Sequence, residues 1–77
     1  MSIESLVRMV NDIGNFFASE SDRAVAIAGI ANHIRRYWEP RMRRQIYTHL
    51  NAGGEGMNEL ARAAVQQLAD KERAAAV

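Results

Sequence analysis

Apolar residues recur at helical spacing in four separate stretches of this chain. In the first, Ile3, Leu6, Val10, Ile13 and Phe17 fall on one face with Met9 beside them, and Arg8, Asn11, Asp12 and Asn15 lie opposite. Residues three and four apart share a helix face, so the pattern is that of an amphipathic helix. In the second, Ile27, Ile30, Ala31 and Ile34 form the stripe, flanked at its end by Tyr37 and Trp38. In the third, Met42, Ile46, His49 and Leu50 point one way and Arg41, Arg44 and Thr48 the other. In the fourth, Leu60, Ala61, Ala64, Val65 and Leu68 are set against Glu59, Arg62 and Gln66. No stretch shows the period of two that a half-buried strand needs.

The breaks between the stripes carry the residues that stop and start helices. Ser21 is placed to cap the second helix, with Asp22 favourable in its first turn. Pro40 ends that helix, because the residue before a proline is pushed out of the helical region, and proline suits the first turn of the next one. Glu39-Pro40 is therefore a corner. Gly53 is placed as a helix stop, Asn58 as the cap of the fourth helix, and Met57 as a staple onto the core. Gly29, in a helix interior, costs about 1 kcal/mol against alanine, and a close helix crossing would account for it. These signals predict an all-α fold: one small four-helix domain over residues 1–77, with short antiparallel helices near 3–18, 22–38, 40–51 and 58–70. The tail from Asp70 to Val77 either extends the last helix or frays. Ile13, Phe17, Ile27, Ile34, Ile46, Leu60 and Leu68 are the expected core.

A chain of 77 residues buries only roughly 60% of its unfolded surface, and small domains commonly gain stability from a disulfide, a metal or a partner. With no cysteine, disulfides and thiolate metal sites are excluded, which leaves a partner as the common route. The net charge of +1 is too small for strong non-specific attraction to nucleic acid or membranes. Nine of the ten basic residues are arginine, which suits planar contacts to carboxylates and phosphates. The N-terminal residues include Glu4 and lack the basic start and apolar run of a signal peptide, and no run is long enough to span a membrane. The expectation is a cytoplasmic protein with no membrane association.

No catalytic or metal-binding constellation stands out. His33 and His49 lie on different helices with no carboxylate at ligand spacing. The serines sit at helix starts, where capping explains them. Gly53-Gly54-Glu55-Gly56 lacks the preceding strand and the following Lys-Ser/Thr of a phosphate loop, and reads as a flexible connection.

The segment His33–Arg44 is the exception to this plainness. It holds five of the ten basic residues, the only tryptophan, the only proline and one of the two tyrosines. Arginine, tryptophan and tyrosine dominate the energetic centres of interfaces. Arg36 lies opposite Ile34, and Arg41 and Arg44 point away from Met42 and Ile46. Tyr37 and Trp38 flank the stripe, with one edge for the core and one for a partner. Glu39 at the turn is placed to pair with an arginine across an interface. Arg36, Tyr37, Trp38, Glu39, Arg41 and Arg44 are thus the expected partner surface. The alternative from another class is a small helical nucleic-acid-binding module using residues 33–44, since arginine and aromatic side chains also stack on bases. Glu39 within the patch, the single lysine and the small net charge weigh against it.

At this segment the chain also resembles a known family. Leu6-Val7-Arg8-Met9, Ile13 with Phe16-Phe17, and Ala24-Val25-Ala26 lead into the run from Ala31 to Arg43. Gly53-Gly54-Glu55-Gly56-Met57 and Ala63-Ala64-Val65 follow. Together they resemble the small delta subunit of cytoplasmic, NAD-dependent, molybdenum- or tungsten-containing formate dehydrogenases, over roughly residues 5 to 68. The resemblance implies a non-catalytic accessory subunit that acts in assembly or stability of the complex, with the alpha subunit as its expected partner. It also implies a holoenzyme in which the alpha subunit carries the bis-molybdopterin guanine dinucleotide and iron–sulfur clusters. The beta and gamma subunits are implied to carry FMN, the NAD site and further clusters. No cofactor is expected in this chain, and no residue role is carried across.

Overall fold

The computed structural model describes Met1 to Ala75 as four helices, α1 (Ile3–Phe17), α2 (Arg23–Tyr37), α3 (Pro40–Asn51) and α4 (Glu59–Ala75). The predicted fourth helix ends near residue 70; it continues to Ala75, and Ala76 and Val77 lie outside the described residues.

Each start has a local cause. The Ser2 hydroxyl accepts from the Ser5 amide at 3.2 Å, and Glu4 stands in the first turn of α1, where the helix dipole favours an anion. The cap of α2 is Asp22, not Ser21. Its carboxylate oxygen takes two otherwise unpartnered amides, Ala24 at 3.0 Å and Val25 at 3.4 Å, while the Glu20 carboxylate accepts from Asp22's own amide. A charged acceptor that serves two amides outweighs a serine one position earlier. Trp38 and Glu39 are both extended, with ψ of 137° and 153°, as the chain turns into Pro40, the first residue of α3. At the end of α3, Gly54 adopts a left-handed conformation (φ 64°), and its amide donates to the His49 carbonyl at 2.9 Å. Gly53 precedes it at φ 122°, so the helix stop needs both glycines. Asn58 caps α4 as expected, its side-chain oxygen accepting from the Ala61 amide at 2.9 Å.

α1 and α4 each pack against the other three helices, whereas α2 and α3, consecutive in the chain, are held together mainly through them. The interior is formed by Leu6, Val10, Ile27, Ile30, Ile34, Trp38, Ile46, Met57, Val65 and Leu68 with the small residues Ala31, Ala61 and Ala64. Ile13, Phe17 and Leu60, expected inside, are half-buried at its margin. For Ile13 and Phe17 the reason is the rotation of α1. Its innermost line is Leu6, Val10 and Gly14, because a side chain at Gly14 would strike Asn58 at 3.0 Å where α4 begins. In place of the close helix crossing expected at Gly29, a side chain lies against it: a Cβ there would be 2.4 Å from the ring of Phe17, which fills the space.

Candidate partner interface at the proline corner

The six candidate residues separate into three settings. The first is the last turn of α2. Arg36 is exposed, its guanidinium carbon 5.7 Å from the centroid of the Tyr37 ring, and Tyr37 is 66% exposed. The ring of His33 lies 4.8 Å from that of Tyr37. Arg35 and Arg36 sit where the helix dipole favours cations, so the fold itself gives Arg36 a use that the stripe alone does not reveal.

The second setting is the interior. Trp38 is only 5% exposed and belongs to the core, so the indole has no edge left for a partner. Its extended backbone turns the side chain inward beneath the corner, and its carbonyl becomes an acceptor for Arg43. Arg43 was not among the expected interface residues and organises the corner. Its Nη1 donates to the Trp38 carbonyl at 2.7 Å and lies 3.5 Å from that of Arg35, satisfying the end of α2. Its Nε donates to Glu72 Oε1 at 2.9 Å, and the Tyr47 hydroxyl donates to the same oxygen at 2.6 Å. Burial, followed by the bond to the Glu72 carboxylate, holds the Tyr47 phenol well above its ordinary pKa. One arginine thus ties α2, α3 and α4 together. The i, i+4 spacing of Arg43 and Tyr47 is visible in sequence; Glu72 is 29 residues from Arg43 and joins them only through the fold.

The third setting is the outer face of the corner and α3. Glu39 is exposed at the N-cap position of α3, and its carboxylate makes no capping bond. Arg41 and Arg44 are exposed and share an open concavity of about 630 Å³ between α3 and the start of α1. Ile3, Thr48, His49 and Ala52 complete its lining with Gln45, which also donates to the Met1 carbonyl at 3.1 Å.

The glycine segment is not the loose connection its composition suggests. Arg62 donates to the carbonyls of Gly53 and Gly54 at 2.9 and 2.8 Å, Asn11 to that of Gly56 at 2.8 Å, and His49 Nε2 lies 2.8 Å from that of Glu55. Asn11 also accepts from the Asn58 amide at 2.8 Å. Asn11 and Arg62, expected to face outward, are the fasteners of this segment, and its carbonyls are engaged by protein donors.

A second surface feature was missed. Phe16 is 78% exposed, edge-on to Phe17, and forms a groove of about 410 Å³ with Asp12, Ile13, Phe17 and His33. Phe16 lies off the apolar stripe, and that displacement was the available signal. Among the described residues, no three His, Asp or Glu side chains group as metal ligands, and no helix is long and apolar enough to cross a membrane.

No curated protein and no solved structure is significantly similar to the chain. The family model for the NADH-dependent formate dehydrogenase delta subunit, FdsD, matches residues 5–65. That span holds most of α1, all of α2 and α3, the proline corner, the glycine segment and the start of α4, and the chain belongs to the formate dehydrogenase delta subunit family.

Proposed function

We propose that this chain is a non-catalytic accessory subunit of a cytoplasmic, NAD-dependent formate dehydrogenase, where it binds the alpha subunit and supports assembly or stability of the complex with the beta and gamma subunits. Family membership supports the choice of complex. The observation that carries the binding role is the division of labour at the corner. Trp38 and Arg43 hold the domain together, while Tyr37, Glu39, Arg41 and Arg44 remain at the surface beside Arg36. Exposed arginine and tyrosine side chains on a fixed scaffold are typical interface anchors.

The iron–sulfur clusters implied for the holoenzyme do not fit this chain, which has no cysteine to ligate them. Molybdopterin, clusters, FMN and the NAD site belong to the other subunits in this proposal.

The test is to produce the complex with and without this chain and compare its yield, cofactor content and the lifetime of formate-dependent NAD reduction. The expected result is a lower yield or a shorter lifetime without the chain. A complex that keeps full yield, loading and lifetime in its absence overturns the accessory role.

A further inference from the structure

The concavity between α3 and the start of α1 is a positively charged surface that the domain does not neutralise. Arg41 and Arg44 lie three apart, so both guanidiniums project from one side of α3. No carboxylate lines the concavity. Among the described residues, Arg23, Arg43 and Arg73 form ion pairs and Arg62 binds carbonyls; Arg41 and Arg44 do neither, nor do Arg8, Arg35 and Arg36, which lie outside the concavity. Arg41 also stands in the first turn of α3, where the helix dipole opposes a cation; Glu39 at the N-cap is the acidic residue at that end and forms no ion pair with it. Arg36, by contrast, gains from its place at the end of α2. Folding therefore explains Arg36 better than Arg41 or Arg44. The remainder of the lining is apolar at Ile3 and Ala52, and Thr48 returns its hydroxyl to the Arg44 carbonyl at 3.0 Å.

We infer that this concavity seats an acidic segment of a partner subunit, with carboxylates on Arg41 and Arg44 and an apolar side chain over Ile3 and Ala52. The inference rests on the proposed membership of a complex and adds the chemistry of one contact. Charge complementarity selects the occupant: two unpaired guanidiniums match two carboxylates, and bidentate pairing fixes their orientation. The apolar floor favours a protein segment over a nucleic-acid backbone, which would leave Ile3 and Ala52 against phosphates. The net charge of +1 likewise supplies little of the long-range attraction that a polyanion exploits.

The experiment produces the whole complex with an affinity tag on this chain and measures the other subunits retained per chain. Four forms are compared: wild type, Arg41→Glu/Arg44→Glu, Arg41→Lys/Arg44→Lys, and Arg8→Glu, an exposed position outside the concavity. Thermal unfolding of each free chain is recorded alongside. The expected result is retention by wild type and Arg8→Glu, weakened by salt, and a fall of about tenfold or more in the double glutamate variant with no loss of thermal stability. The lysine variant keeps the charge but loses bidentate geometry and should fall between them. Full retention by the double glutamate variant overturns this inference and leaves the accessory role standing. A wild-type chain that retains no subunit overturns both. Loss of retention together with loss of thermal stability shows the arginines to be structural and overturns it. Recovery of nucleic acid that disappears with the arginines overturns the choice of a protein segment.

Discussion

Removing the carboxylate of Glu72 probes whether the corner is held from α4. Glu72 Oε1 accepts from Tyr47 at 2.6 Å and from Arg43 at 2.9 Å. In Tyr47→Phe one donor is lost, but the Glu72 side chain is 39% exposed, so water reaches the carboxylate and the cost is about 1 kcal/mol. In Glu72→Ala both bonds are lost, and Arg43, whose side chain is only 17% exposed, keeps its bond to the Trp38 carbonyl without its counter-charge. A hydrogen bond to a charged group contributes about 1.5–3 kcal/mol, and solvent access to the carboxylate places this one near the lower end. With the tyrosine bond added, Glu72→Ala should cost about 2–3 kcal/mol. A domain of this size has a total stability of roughly 4–12 kcal/mol, so the loss is large. Once Glu72 is alanine, Tyr47→Phe should cost little further, because the hydroxyl has no acceptor left. The double-mutant cycle should therefore show a coupling of about 1 kcal/mol. Urea unfolding followed by circular dichroism and by the fluorescence of Trp38, the only tryptophan, measures all four corners of the cycle. Additive costs, or a Glu72→Ala loss under about 0.5 kcal/mol, would refute the clamp.

The Tyr47 phenol titrates above its ordinary value of 10.0 in the folded chain, so its contribution is complete below about pH 10 and is lost as pH rises beyond it. Above that pH the unfolded state binds fewer protons than the folded one. Stability should then fall with a limiting slope of about 1.4 kcal/mol per pH unit, reduced by partial exposure. Tyr47→Phe should flatten the slope in melts between pH 8 and 12; an unchanged slope would assign it to other groups. Ile34 is fully buried, and Ile34→Ala should cost about 2–5 kcal/mol in urea melts, with a loss under about 0.5 kcal/mol excluding it from the core. Gly54→Ala should cost about 1–2 kcal/mol for the left-handed backbone alone (φ 64°) and also displace Arg62 from the loop carbonyls; wild-type stability would show that the turn relaxes freely.

The spacing of apolar residues along the chain was enough to determine four helices and no strand, because helix faces and caps are set by residues within a few positions of one another. Pro40 and Asn58 act through their own backbone neighbourhoods, and their roles are legible without a fold. The arginine-rich segment was legible as an unusual surface, and the same run supported the family assignment. Whether each of its residues faces inward or outward was not. Trp38 and Arg43 were drawn into the domain, and Glu72, Asn11 and Arg62 acquired structural roles, through bonds to residues on other elements. The exact face that α1 turns to the core depends on Gly14 meeting Asn58, 44 positions away. Local periodicity fixes a stripe about 100° wide. Only packing against the other helices decides which edge of that stripe is sealed and which polar side chains beside it find partners.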